Sequence, residues 1–309
     1  MRRSLLALGG LLVVGFGLDL SPVVRAESDS KEGAIRASDQ ARTLAKKILD
    51  EGLAQAEREA VVKDHPGESA ELIAALVEDL KPGTAEEYRR IPWIWRVAIA
   101  GGRRNESKEL VRLLEVSLPA QGARLEDWRA VVIGGGLING VSLEGVWPAA
   151  RFDEILDSRA DLKTRWQAAI ERASAMADDE KVKTGTRYDA LRMLGVESWD
   201  RRGGQLFRYL LKGVHPELQQ GAVSGLADVP SPCVGPALLV AVNYLTPHVQ
   251  NFALDALLRD EGRIAALLDA VADGRLDRSK LGAERTAVLV KHSNEALRRR
   301  AVELLGQTK

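Results

Sequence analysis

Aromatic residues are scarce at 5% of the 309 positions, cysteine occurs once, and the charges cancel, with 44 Lys and Arg against 44 Asp and Glu. Balanced charge argues against a general polyanion binder, which shows a basic excess, so no nucleic-acid partner is expected. The lone Cys233 excludes an internal disulfide and a CxxCH haem attachment. Between Pro232 and Val234, ahead of an apolar helix, it reads as a small buried residue. The four histidines, His65, His215, His248 and His292, share no HxxxH or HExxH spacing, so no zinc site is expected. His215 and His248 adjoin prolines and read as helix-start residues. There is no P-loop and no GxSxG, and the SxxK match at Ser28 falls in a polar segment. Acidic residues are too numerous for one pair to stand out, which leaves paired-carboxylate catalysis open. No sustained alternation of apolar and polar residues is present, so no sheet is expected. No cofactor is implied.

The N-terminus reads as an address. Arg2 and Arg3 precede an uncharged, mostly apolar run from residue 5 to 16, and Val24-Arg25-Ala26 places small residues three and one before a cut. This predicts a secretory signal peptide over 1–26, cleaved after Ala26, and a periplasmic or extracellular protein. The alternative is an uncleaved anchor, but the run ends at Asp19, short of the roughly 20 residues a spanning helix needs. The residues after the Arg pair do not resemble a twin-arginine signal, and no cysteine near the cut points to a lipoprotein. No later segment could span a bilayer. Residues 27–37 are polar and read as a disordered linker.

What the chain has in abundance is helix. Ala, Leu, Glu and Arg dominate, as helices prefer. Ser38 is placed to cap a first helix, and Thr84 and Glu87 have capping-box spacing. Pro92 predicts a kink or restart inside the helix that follows. Glu126 to about Ile133 reads as a helix running into Gly134-Gly135-Gly136, and Leu162, Trp166, Ala169, Ile170, Ala173 and Ala177 share one helical face. In the C-terminal part a pattern recurs: apolar, three variable, Ala, apolar, two variable, Leu. It occupies residues 218–226, 249–257 and 297–305, and 186–194 with Thr in the first slot. Its alanines are Ala190, Ala222, Ala253 and Ala301, spaced by 32, 31 and 48 residues. That predicts a two-helix unit of about 32 residues, with the last match on the alternate helix of its pair. Expected pairs are 186–194 with 199–212, 217–227 with 236–245, 248–259 with 261–272, and 280–291 with 294–305. Short antiparallel pairs that cannot bury their own apolar faces stack in series. The expected fold is therefore all-α, a HEAT-like α-solenoid of stacked antiparallel helix pairs. It divides into an N-terminal helical region over 38–178 and C-terminal repeats over 179–309. A non-repeating all-α domain is the alternative.

The C-terminal half resembles HEAT-type (armadillo-like) repeats. Over roughly residues 40–306 the chain is similar to one subset, the helical spacer of large exported bacterial proteins of the PVC type. There the spacer lies between a propeller of the membrane-bound dehydrogenase kind and a c-haem domain. The residues that carry the resemblance are Arg90-Ile-Pro-Trp-Ile-Trp-Arg96, Ser117-Leu-Pro119, Asp127-Trp128, Val132-Ile-Gly-Gly-Gly-Leu-Ile-Asn-Gly140, Trp147-Pro148 and Ser231-Pro-Cys233, with the stretch from Leu281 to His292. Neither propeller nor haem domain is present in these residues, so the resemblance implies a helical fold and an exported setting, and no active site. A split or degraded descendant of such a multidomain protein is a further reading.

Two features were weighed as sites. The segment at 130–140 lacks the third glycine of a dinucleotide fingerprint, since Asn139 stands there, and reads better as a helix end or close crossing. Trp93, Trp95, Trp128 and Trp147 cluster in the N-terminal half, with Arg96 and Arg129 beside two of them. Trp93, Trp95, Arg96, Trp128 and Arg129 are the candidate surface for a protein partner or a ligand. The competing reading places these indoles in gaps between helices. The expected function is a non-enzymatic, exported scaffold that binds a protein, an exported redox or hydrolytic enzyme by the resemblance, with self-association open. The alternative is a glycan-binding or glycan-active helical protein with a Trp-lined groove.

Overall fold

The computed structural model describes residues 35–120 and 127–306, all within one compact unit, Ala34–Lys309. The signal segment, and the linker as far as residue 34, lie outside the described residues. Ile35 and Ala37 of the expected linker pack half-buried against the core. Among the described residues there is no strand and there are sixteen α-helices. The N-terminal eight are α1 Asp39–Ile48, α2 Gln55–Asp64, α3 Ser69–Val77, α4 Ala85–Arg104, α5 Ser107–Ser117, α6 Asp127–Leu143, α7 Pro148–Leu156 and α8 Ala160–Asp178. The remainder are α9 Thr184–Met193, α10 Gly204–Arg208, α11 Pro216–Ala227, α12 Val234–Ala241, α13 Pro247–Ala256, α14 Glu261–Ala272, α15 Gly282–Val290 and α16 Glu295–Leu305.

Local chemistry explains most helix starts. The Ser38 hydroxyl accepts the Ala41 N–H at 3.0 Å, and the Thr84 hydroxyl accepts the Glu87 N–H at 3.4 Å. The expected capping box at Thr84 closes differently: the Glu87 carboxylate accepts from the Gly83 N–H. Proline opens α7, α11 and α13, where a helix has no use for that N–H. His215 caps α11, its Nδ1 accepting from the Glu217 N–H at 3.3 Å.

Four expectations need correction. Helix α4 runs through Pro92 for all 20 residues, so the helix does not restart there. The proline ring lies on the exposed side, where water can serve the carbonyl that loses its partner. Helix α6 does not end at the glycine triplet but passes through it to Leu143. The 199–212 helix is broken into a π-helical turn, Trp199–Gly203, followed by the short α10. The Trp199 ring lies over Gly203, where a Cβ would stand 2.7 Å from its Cε3. Cys233 is exposed, because it sits just before α12 and contributes to that helix's start rather than to its buried face.

Helices pack chiefly on the second neighbour in sequence. One set of contacts runs α2, α4, α6, α9, α11, α13; another links α1, α3, α5 and, further on, α12, α14, α16. Two adjacent pairs of the first set, α4 with α6 and α9 with α11, run parallel. In α4 and α6, Gly136 faces Trp95 and Ala98 while Gly140 faces Ile99 and Arg103; in α9 and α11, Gly221 faces Tyr188 while Gly225 faces Leu191. Packing is continuous across residue 178, since α9 touches both α6 and α8.

Many polar bonds between elements in the C-terminal half span 28 to 37 residues. Ser174 donates to Gln205 (31 residues apart), Tyr209 to the Ala177 carbonyl (32), Asn243 to the Arg275 carbonyl (32), Arg285 to Asp255 (30) and Asn294 to Glu261 (33). Ala190, Ala222, Ala253 and Ala301 are all fully buried. They fall on α9, α11, α13 and α16.

Candidate functional site

Of the tryptophans expected to form a surface, Trp93 and Trp128 lie under it. Trp93 is 4% exposed and Trp128 is 7% exposed, whereas Trp95 and Trp147 are half-buried. Trp93 is covered by two guanidinium groups, Arg58 at 4.4 Å and Arg96 at 5.0 Å from its ring centroid. Arg96 also pairs with Glu59 at 3.4 Å and donates to the Pro92 carbonyl at 3.1 Å. Arg129 lies 5.8 Å from the Trp128 ring. The structure thus joins Trp93 to Arg96 and Trp128 to Arg129, but not as an open aromatic platform.

The glycine segment is a helix crossing. A Cβ on Gly140 would collide with the Ile99 carbonyl oxygen and stand 2.6 Å from the Arg103 nitrogen; one on Gly136 would stand 2.7 Å from the Ala98 Cβ. Gly134 meets Met193 and Trp166, and Gly135 meets the Asp189 carboxylate. Helix α4 can cross at backbone distance only because Gly136 and Gly140 lack side chains, while Gly134 and Gly135 leave room for the side chains of Met193, Trp166 and Asp189.

That close packing places a polar cluster inside the protein. Asp189 of α9 is 6% exposed. Burial pushes its carboxyl well above the usual range, against the opposing pull of Arg192 and the Trp95 indole N–H, with Glu217 adding to the rise. Trp95 Nε1 and Asp189 Oδ1 do not close a hydrogen bond of normal geometry. Asp228, at the end of α11, is fully buried, and burial raises its carboxyl too. Its Oδ1 accepts from the Ser142 hydroxyl at 2.6 Å and pairs with Arg259 at 3.2 Å, while Arg192 stands 4.0 Å from Oδ2.

The same cluster ties distant parts of the chain together. Arg259 donates to the Val146 carbonyl, 113 residues away, at 2.8 Å. Its guanidinium and that of Arg263 lie 4.5 and 5.5 Å from the centroid of Trp147. Arg263 is 2% exposed and donates to the carbonyls of Ala227, Ala256 and Val229. Burial, and next Arg259, lower its pKa, opposed by Asp260 and Asp228. The sequence marks Trp147 by its type, but nothing local marks Arg259, Asp189, Ser142 or Asp228 as members of the polar cluster. The one available signal was Arg263, a cation beside the apolar stripe of Ile264, Leu267 and Leu268. Asp228 is thus enclosed beside Arg192 and Arg259, while Asp189 lies against Gly135.

Among the described residues no three His, Cys, Asp or Glu side chains converge to hold a metal ion. No single described helix is long and apolar enough to cross a membrane; α6 from Trp128 with α7 passes by composition only as a pair bent by 114°. The surface has clefts of about 510 Å³ between α2 and α4, about 540 Å³ beside Tyr209 and His215, and about 460 Å³ between α15 and α16. Comparison with protein-family models, with curated proteins and with solved structures finds no match for this chain.

Proposed function

We propose that this chain is an exported, non-enzymatic scaffold built as a HEAT-like α-solenoid of stacked antiparallel helix pairs, and that it binds another protein along its surface. The observation that carries the reading is the overlap of two separations. The buried alanines recur at 32 and 31 residues, and many polar bonds between elements of the same region span 28 to 37. A unit that bonds to its copy one period later is the structural element of a solenoid, and stacked units present an extended face. Packing on the second neighbour in sequence supports the same reading. Export rests on the N-terminal residues, and an exported redox or hydrolytic enzyme as partner rests on the resemblance to the spacer of the haem-containing proteins. Burial of Trp93 and Trp128 favours this reading over a glycan-binding groove, which needs exposed indoles.

The test is affinity capture from the exported fraction of the source organism, with the chain from Glu27 as bait and mass spectrometry of what is retained. One recurrent protein partner is the expected result. Retention of glycan without protein overturns the proposal and directs work to sugar-cleavage assays.

A further inference from the structure

Helix α15 holds a single buried residue, Leu289, and packs chiefly on α16 and on the turn Arg278–Leu281 that precedes it. Its outer side is open. Glu284, Ala287, Val288 and Lys291 lie there at three- and four-residue intervals, so they share one stripe. Glu284, Val288 and Lys291 are exposed, the valine at 53%, and Ala287 is half-buried at the edge of the cleft between α15 and α16. Among the described residues, neither the Glu284 carboxylate nor the Lys291 ammonium has a hydrogen-bond or ion-pair partner. An acid at the start of a helix and a base at its end suit the helix dipole. The dipole does not account for the exposed valine between them. An apolar centre flanked by two unpaired charges has the anatomy of a small contact surface.

The stripe is complementary to itself. Let two copies of α15 lie antiparallel about a twofold axis that passes between positions 287 and 288. Glu284 of one protomer then meets Lys291 of its partner, and the small Ala287 receives the larger Val288, each pairing occurring twice. A twofold contact uses the same patch on both subunits, which is possible only for a patch that matches itself in this way. We propose that α15 is the contact surface of a homodimer, packed antiparallel against α15 of a second copy. The contact is short, since the nine residues of α15 at 1.5 Å each span about 13 Å. It falls below the roughly 20–30 residues a side of a standard interface, so the dimer is weak and reversible. Exposed ion pairs add little strength to it and mainly fix its register and direction. Docking of another protein does not depend on this contact, because a monomer docks equally well.

Sedimentation equilibrium tests the assignment, using the chain from Glu27, which contains the whole compact unit Ala34–Lys309. Wild type is expected to dimerise with a Kd on the order of 10 μM to 1 mM. Glu284→Lys and Lys291→Glu each set like charges opposite one another and should weaken the dimer at least about tenfold. An equimolar mixture of these two variants should restore it, because a wholly basic stripe then meets a wholly acidic one. The exchange Glu284→Lys/Lys291→Glu within one chain should keep it, and Val288→Asp should abolish it. All three positions are exposed, and circular dichroism establishes that each variant folds. Three outcomes overturn the proposal: a wild-type chain that is still monomeric at about 1 mM, a dimer indifferent to the single variants, or a mixture that associates no better than either variant alone.

Discussion

Asp189 and Asp228 are both enclosed, yet they call for opposite expectations. Asp228 has a hydroxyl donor and a guanidinium in direct contact, so removing it strands Arg259 beside a second arginine. Asp228→Ala should cost about 3–5 kcal/mol in urea denaturation, the usual loss when half of a buried pair is deleted. Asp189 has no closed hydrogen bond at Oδ1 and a strongly raised pKa, so its charge is a cost to the fold at neutral pH. Asp189→Asn keeps the shape, removes the charge and should raise the melting temperature at pH 7.5. The pH dependence follows from the direction of the shift. A carboxyl whose folded pKa is raised above its unfolded value imposes its full penalty above the folded pKa, and loses it as pH falls through that value towards the unfolded one. Wild type should therefore close its deficit against Asp189→Asn as the solution is acidified. A gap independent of pH would show that the Asp189 charge is not the cause.

At the scale of elements, the crossings of α6 with α4 and α9 depend on missing side chains. Gly140→Ala forces a methyl group onto the Ile99 carbonyl and should cost about 1–3 kcal/mol or more, because two backbones must separate. Gly204→Ala, at a helical position with open space around it, should instead stabilise by about 0.4–1 kcal/mol. Thermal melts of the two variants distinguish a packing role from a general glycine effect. Trp147 tests the longer-range tie. Trp147→Ala should destabilise by about 2–4 kcal/mol, somewhat below the loss for a fully buried indole. It should also raise hydrogen exchange between α13 and α14, although those residues lie more than 100 positions away in sequence. Exchange that rises only around residues 142–150 would sink the idea of a tie. The glycine triplet was visible in the sequence, and a close crossing was one of its two readings. That the helix continues through it could not be read locally, because glycine weakens an isolated helix and only the partners α4 and α9 reverse that preference.

For the whole molecule, a chain of units that bond mainly to near neighbours should open from its ends. The last pair is the weakest by burial: Leu289 is the only buried residue of α15, and Ala301 and Leu305 the only ones of α16. Native-state hydrogen exchange should therefore show least protection in α15 and α16 and most in α4, α6 and α9. Uniform protection across all helices would indicate a single cooperative core instead. The helical class and several helix starts were legible in the sequence. Caps, prolines and apolar spacing act within a few residues of themselves, and a repeated core residue repeats visibly. Where the tryptophans went and which carboxylates lie buried depended on contacts between residues up to 117 positions apart. Side-chain burial and ionisation are set by the neighbours that folding supplies, so the tertiary structure alone decided them.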